Sequence, residues 1–337
     1  VAAEAARVAA GGPGGPDVVR VHNLVKEYGG GFRAVDGVSF GIPTDECFGL
    51  LGPNGAGKTT VISVLSGSHG VTSGEAHVAG FDVRRQLRSI HQVLGICPQF
   101  DIVWDNLSVL EHLLLFARIK GVPSSREREL AGQVAEAVRL DGDPFRMAAS
   151  RLSGGMRRRL SLGIALVANP KVVFLDEPST GLDPETRQGL WRIISSLTRG
   201  RCVVLTTHSM EEADTLCGRI GIMALGRLRC LGTPMHLKSK FGTGYQLIIS
   251  LRPEAVYSKV DDFVRSRLSS AASLVPTWKG ESFRTYNLPE GSVKISKVFE
   301  SMSEQTKRDL GIKEWSLNQT SLNEVFLRIA EGSERGV

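Results

Sequence analysis

Lys58 and Thr59 close the stretch Gly52-Pro53-Asn54-Gly55-Ala56-Gly57-Lys58-Thr59-Thr60. Its spacing, Gly-x-x-x-x-Gly-Lys-Thr, is that of a loop that cradles phosphates. Glycines let the backbone curl so that successive N–H groups point at phosphate oxygens. A helix opening directly after the loop adds its positive dipole end. Lys58 can then reach the β- and γ-phosphates of a nucleotide, and the Thr59 hydroxyl can ligate Mg²⁺. A glycine turn that merely caps a structural helix has no need of both residues in register.

Asp176 and Glu177 end an apolar run, Val172-Val173-Phe174-Leu175. Beside a phosphate loop such a pair has a use. Asp176 can hold Mg²⁺, directly or through water, and Glu177 can polarise the water that attacks the γ-phosphate. His208 ends another apolar run, 202–207, and is expected to contact the γ-phosphate. Gln99, at the end of a third run, offers a neutral amide to Mg²⁺ or water. Tyr28 can stack on adenine. Ser153-Gly154-Gly155 opens a helix with small residues and a hydroxyl, a second anion-binding helix end. It follows a helical insertion and is expected to lie too far out to reach its own chain's phosphate loop, so it should face a partner's nucleotide.

These residues need a scaffold that brings distant strand ends together. The runs 47–51, 94–99, 172–176, 202–207 and 220–224 are predominantly apolar and alternate with helical stretches, which predicts a mostly parallel sheet. An antiparallel β layer is expected over 18–42. The pattern turns helical from 107 to 139, opened by the capping box Ser108-x-x-Glu111. Beyond 240 the expected order is strand 245–251, helix 256–268, strand 274–278, strand 282–288, helix 295–310 and strand 313–317. That is βαββαβ, the ferredoxin-like order. An amphipathic helix over 322–329 closes the chain. Residues 1–18, alanine-rich and then Gly-Gly-Pro-Gly-Gly-Pro, read as a linker, with the tail of a helix from an upstream domain as the alternative.

The 337 residues are 42% hydrophobic and 23% charged, ordinary globular composition of about two domains. A net charge of +6 is spread along the chain. Its densest cluster, Arg157-Arg158-Arg159, reads as a solvated helix face rather than a nucleic-acid site. The five cysteines have no CxxC spacing, which points to buried thiols in a reducing compartment and away from zinc. No apolar run approaches the ~18 residues of a membrane span. The start lacks Met and has no signal-peptide pattern, which implies a piece of a longer chain.

Together the motifs resemble the nucleotide-binding domain of the ATP-binding cassette (ABC) transporters. They are Tyr28 (A-loop), 52–60 (Walker A), Gln99 (Q-loop), Leu152-Ser153-Gly154-Gly155-Met156 (signature), 172–177 (Walker B), 179–183 (D-loop) and His208 (switch histidine). Met156 in place of the commoner Gln, and Gly181 in place of the commoner Ala, look like the lipid-transporting A subfamily. So do Cys97-Pro98-Gln99-Phe100-Asp101 and 177–184, and the half-size plant-type members are the most similar.

The resemblance implies an α/β P-loop cassette over 19–240, with a helical subdomain at about 100–165. A small ferredoxin-like regulatory domain would follow over 241–337. It implies ATP and Mg²⁺ as cofactors, with Thr59, Gln99 and Asp176 on the metal. The implied partners are a second nucleotide-binding domain and a transmembrane domain, with no nucleic acid, at the cytosolic face of a membrane. The ATPase of a drug or polysaccharide exporter shares this chemistry. A soluble cassette acting on ribosomes or DNA is disfavoured by the single cassette and the short insertion. A degenerate, non-hydrolysing cassette is disfavoured because Lys58, Asp176, Glu177 and His208 are all present.

Overall fold

The structure is a computed structural model that describes residues 1–12, 15–242, 244–275, 282–289, 291–319, 321–326 and 329. The chain divides into two compact units, with the break between Pro234 and Met235.

The first unit begins with α1 (Ala2–Gly11), β1 (Asp17–Tyr28), β2 (Phe32–Pro43) and β3 (Glu46–Leu51). It continues through α2 (Lys58–Leu65), β4 (Ser73–Val78), β5 (Phe81–Asp82), α3 (Leu87–Val93) and β6 (Leu94–Cys97). Next come α4 (Val109–Ile119), α5 (Ser124–Ala137), α6 (Gly154–Leu166), β7 (Val172–Asp176) and α7 (Pro184–Leu197). It closes with β8 (Cys202–Thr207), α8 (Met210–Leu216), β9 (Arg219–Ala224) and β10 (Arg227–Gly232).

Two sheets result. One has the order β2-β1-β4-β5 and is antiparallel. The other has the order β10-β9-β3-β8-β7-β6. In it β9, β3, β8, β7 and β6 run parallel, and only β10 is antiparallel. The parallel strands β7 and β8 are buried at every position, as helices or sheets on both faces require. One apolar core joins the two sheets, and the rings of Phe40 and Phe48 stack across it with centroids 5.2 Å apart. The parallel register sets the chemistry. Leu51, Asp176 and Thr207 end neighbouring strands, so the loops leaving those strands emerge together at one edge of the sheet.

Of the two readings of the N-terminal segment, the structure bears out the helix and corrects the linker, with Ala2–Gly11 helical. Alanine has the highest helix propensity, and three side chains anchor the helix. Val8 is fully buried, Glu4 accepts from the Gly41 amide at 3.0 Å, and Arg7 pairs with Asp17 at 2.9 Å. The helical insertion is α4 and α5, and the Ser108–Glu111 capping box is formed at the start of α4.

The second unit contains α9 (Pro234–Phe241) from Met235 onward, then β11 (Tyr245–Leu251), α10 (Tyr257–Phe263) and β12 (Ser273–Val275). A single π-helical turn, Val264–Leu268, extends α10. Next are β13 (Phe283–Leu288), α11 (Ile295–Ser301), α12 (Glu304–Leu310) and β14 (Ile312–Gln319). The sheet order is β12-β13-β11-β14 with every pairing antiparallel. Leu247, Ile249, Val260, Val264, Tyr286 and Val298 build its own core.

The single long helix expected over 295–310 is broken in two. Ser303 accepts from the Thr306 amide at 3.3 Å and starts a new helix, the usual work of an N-cap serine. Of the expected strand 274–278, residues 276–278 lie outside the described residues. The closing helix is present at 322–326, where Leu322, Val325 and Phe326 are buried.

Candidate functional site

The phosphate loop runs from the end of β3 into α2, which starts at Lys58. Two glycines are compulsory. A Cβ on Gly57, which has φ +99°, would sit 2.3 Å from the Ala34 carbonyl oxygen. One on Gly52 would sit 2.5 Å from that of Met223. The Lys58 side chain folds back over the loop and donates to the carbonyls of Gly52 (2.8 Å) and Pro53 (3.1 Å). Its ammonium is buried, and burial pushes its pKa below that of an ordinary lysine, while Glu177 and Asp176 pull it back up. Lys58 Nζ lies 3.7 Å from Glu177 Oε1.

Asp176 is the last residue of β7, and its Oδ1 accepts from Thr59 Oγ1 at 3.2 Å and from the Thr206 hydroxyl. A hydroxyl and a carboxylate in contact form a hard-oxygen pair that suits Mg²⁺ arriving with a nucleotide. Glu177 is next in a left-handed conformation, φ +45°, which is strained for a residue with a Cβ. Its N–H is held by the Thr206 carbonyl (3.0 Å) and hydroxyl (3.1 Å). Three groups converge on Glu177 Oε2: Gln99 Nε2 at 3.3 Å, Thr180 Oγ1 at 3.1 Å and His208 Nδ1 at 3.2 Å. Gln99 lies just beyond β6 and His208 just beyond β8, so the parallel sheet delivers both. The His208 side chain is half-exposed.

An open cavity of 380 Å³ lies over the loop. Asn54, Gly55, Ala56, Gly57, Lys58, Thr59 and Thr60 form its floor, Gln99 and Glu177 one wall, and Tyr28 and Phe32 its mouth. Tyr28 and Phe32 are cross-strand partners at the end of the β1–β2 hairpin. The Tyr28 ring already has neighbours, the edge of His69 (centroids 5.4 Å apart) and Lys26 Nζ, 4.9 Å from its centroid. Ser153, Gly154 and Gly155 do not line this cavity. Ser153 caps α6 by accepting from the Met156 amide at 3.3 Å.

The sequence profile described as ABC transporter matches residues 35–180. ABC transporter A family member 9 of Arabidopsis thaliana is 43% identical over 334 residues, covering 94% of this chain and 35% of that protein. This chain carries an ABC transporter nucleotide-binding domain. ABC transporter A family member 9 of Dictyostelium discoideum is 42% identical over 94% of the chain, and ATP-binding cassette sub-family A member 2 of rat is 40% identical. The rat match covers 94% of this chain and 13% of that protein. The chain thus spans about a third of the length of the plant relatives it matches.

Among solved structures, a dimeric ATP-binding cassette in a post-hydrolysis state with ADP and Pi superposes with a TM-score of 0.59 at 24% identity. That match covers 64% of this chain and 98% of the other. A cassette of an ABC transporter complex from Clostridium perfringens gives 0.62 at 23% identity, covering 67% and 92%. At these identities the likeness is one of fold.

Within this ABC cassette the structure also places residues that the motif reading passed over. Phe32 stands opposite Tyr28, legible only once the hairpin register is known. Thr206 holds Asp176 and the Glu177 amide, with the Thr-Thr-His strand end as its one sequence signal, while Thr180, inside the 179–183 motif, donates to Glu177. The solvated reading of Arg157-Arg158-Arg159 is corrected. Arg158 is 4% exposed and bonded into the site, Arg157 pairs with Asp105, and Arg159 donates to the carbonyls of Gly155 and Arg139. All five cysteines are buried and free, and burial pushes the Cys97 and Cys230 thiols up to about 11.

Proposed function

We propose that this cassette binds ATP with Mg²⁺, hydrolyses it between two copies of the domain, and powers lipid movement by an A-subfamily transporter. One observation carries the hydrolytic reading: Lys58, Thr59, Gln99, Asp176, Glu177 and His208, drawn from separate segments of the chain, converge over one phosphate loop. Lys58 and the loop amides would bind the β- and γ-phosphates. Thr59 and Asp176, with Gln99, would hold Mg²⁺, which when bound neutralises charge on those phosphates. Glu177 would take a proton from the attacking water, and His208 would orient the γ-phosphate. Tyr28 and Phe32 would flank the adenine.

A second copy is needed to complete the site. The cavity is open, and the signature helix end Ser153-Gly154-Gly155 does not line it. The exposed side chains Phe100, Ile102 and Trp104, just past Gln99, offer an apolar surface to the transmembrane part, which would put the domain at the cytosolic face of a membrane. Among the described residues no helix is long and apolar enough to cross a membrane. Lipid as cargo rests on the similarity to A-family relatives. The second unit's sheet order β12-β13-β11-β14, all antiparallel, supports a ferredoxin-like domain, for which we propose a regulatory role.

The test is phosphate release from ATP by the purified chain, with sedimentation in parallel. Wild type should hydrolyse ATP, and Glu177→Gln with ATP and Mg²⁺ should dimerise most. Turnover unaffected by Lys58→Ala, or a monomer at every concentration with ATP, would oppose the reading. For cargo, lipid headgroups should change the ATPase rate of the full-length transporter in vesicles.

A further inference from the structure

Arg158 stands out because an arginine is rarely buried so fully. Guanidinium has five N–H donors in a rigid fork, and here each finds an acceptor. Nε donates to the Pro178 carbonyl at 2.6 Å. One terminal nitrogen donates to the Pro98 carbonyl (2.6 Å) and to Asp101 Oδ1 (3.0 Å). The other donates to the carbonyls of Asp176 (3.2 Å) and Glu177 (3.3 Å). The acceptors belong to two segments. Pro98 and Asp101 bracket Gln99, and Asp176 to Pro178 carry Glu177. Arg158 itself belongs to α6, the helix that opens at Ser153-Gly154-Gly155.

We infer that Arg158 is a positioning residue that couples the signature helix to the hydrolytic machinery of its own chain. This role rests on the proposed ATPase reading. The guanidinium clamps the Pro98 carbonyl before Gln99, the Asp101 side chain after it, and the backbone along the strained Glu177 peptide, so that Gln99 Nε2 and Glu177 Oε2 stay 3.3 Å apart. A shift of α6 moves both loops together. If Ser153-Gly154-Gly155 engages a partner's nucleotide, the state of that site reaches this chain's Glu177 through one side chain. Asp101 supplies the counter-charge and is itself 25% exposed, so the ion pair stands at the rim of the buried network. Lysine cannot replace this group, because three donors on a point charge cannot meet five acceptors in a plane.

The experiment uses the full chain with Arg158→Lys, Arg158→Gln and Asp101→Asn. ATP affinity should stay within about threefold of wild type, because none of these side chains contacts the phosphate loop. Turnover should fall at least about tenfold in both Arg158 variants, the scale of effect expected when reacting groups are misplaced by a fraction of an ångström. Asp101→Asn, which keeps the four carbonyl contacts, should fall less. Hydrogen exchange should quicken together at 98–101 and 176–180, with the phosphate loop unchanged. Wild-type turnover in Arg158→Gln would overturn the inference. So would equal losses in affinity and turnover, or exchange that rises uniformly over the chain. Absence of hydrolysis by the wild-type chain would instead defeat the ATPase reading, and the paired exchange at the two loops would still decide whether Arg158 links them.

Discussion

Replacing Glu177 with Gln separates two effects that the geometry joins. The side chain is buried, and its Oε1 faces Lys58 Nζ at 3.7 Å. At an effective dielectric of about 20 that separation corresponds to ~4 kcal/mol of gross attraction. Removing one member of a buried pair typically costs about 3–5 kcal/mol. Lys58 keeps its bonds to the Gly52 and Pro53 carbonyls, so the lower end, about 3 kcal/mol, applies here. For a unit of this size that lowers the melting temperature of the nucleotide-free protein by about 6–12 °C.

Phosphates that approach Lys58 supply a new counter-charge, so the bound state loses less than the free one. Affinity for ATP therefore rises, by tenfold for each ~1.4 kcal/mol of that difference. Hydrolysis moves the other way, falling about 10²–10⁴-fold with loss of the base. The assays are thermal melts with and without ATP–Mg²⁺, calorimetric titration with ATP, and phosphate release. A nucleotide-free melting temperature equal to wild type would show that the pair contributes nothing. Turnover within about threefold of wild type would remove Glu177 from the role of base.

Lys58→Ala should weaken ATP binding at least about tenfold through loss of a charge-assisted hydrogen bond, read by titration with a fluorescent ATP analogue. Thr206→Val leaves Asp176 and the Glu177 amide short of a partner and should lower stability by about 1.5–3 kcal/mol; Thr206→Ser should restore it in the same denaturant titration. Glu4 predicts acid release of α1. Burial raises its pKa, but the Arg7 guanidinium, the Gly41 amide and Arg219 outweigh burial and hold it near 2, against an ordinary 4.5. Its contribution is therefore complete above about 4.5 and lost as pH falls through about 2. Hydrogen exchange of the α1 amides should quicken over that window, and in Glu4→Gln it should already be fast at neutral pH. Ending the chain after Lys240 should leave a cassette that still binds ATP, and an unfolded product would make the second unit part of the cassette's core.

Local chemistry was the part legible in the sequence. A phosphate loop needs its glycines, lysine and threonine within one turn, so 52–59 announced itself. Asp176, Glu177 and His208 were legible because each ends an apolar run, and a parallel sheet gathers strand ends at one edge. The capping box at Ser108 was equally local. Burial was harder to read. An alanine-rich segment has one composition whether it hangs free or docks, and the decision fell to Val8, Glu4 and Arg7 meeting β1 and β2. The helix 295–310 looked continuous because its apolar period is unbroken, while the competing signal, Ser303 three places before Thr306, is weak on its own.

Arg158 is the clearest case of what sequence alone does not carry. Three consecutive arginines on one helix must point in different directions, about 100° apart. One of them therefore faces inward whenever the helix packs on a sheet, and charge alone does not say which. Arg157 meets Asp105 at the surface and Arg159 lies against the α5–α6 side, while Arg158 enters the space between Pro98 and Pro178. That space is lined by carbonyl oxygens of two loops that leave the sheet edge there, and of these the Glu177 carbonyl also accepts from the Thr180 amide. A buried carbonyl without a donor is costly. The guanidinium is thus required by the same sheet edge that creates the site. The charge cluster that reads as a solvated face is in part what holds Gln99 and Glu177 together.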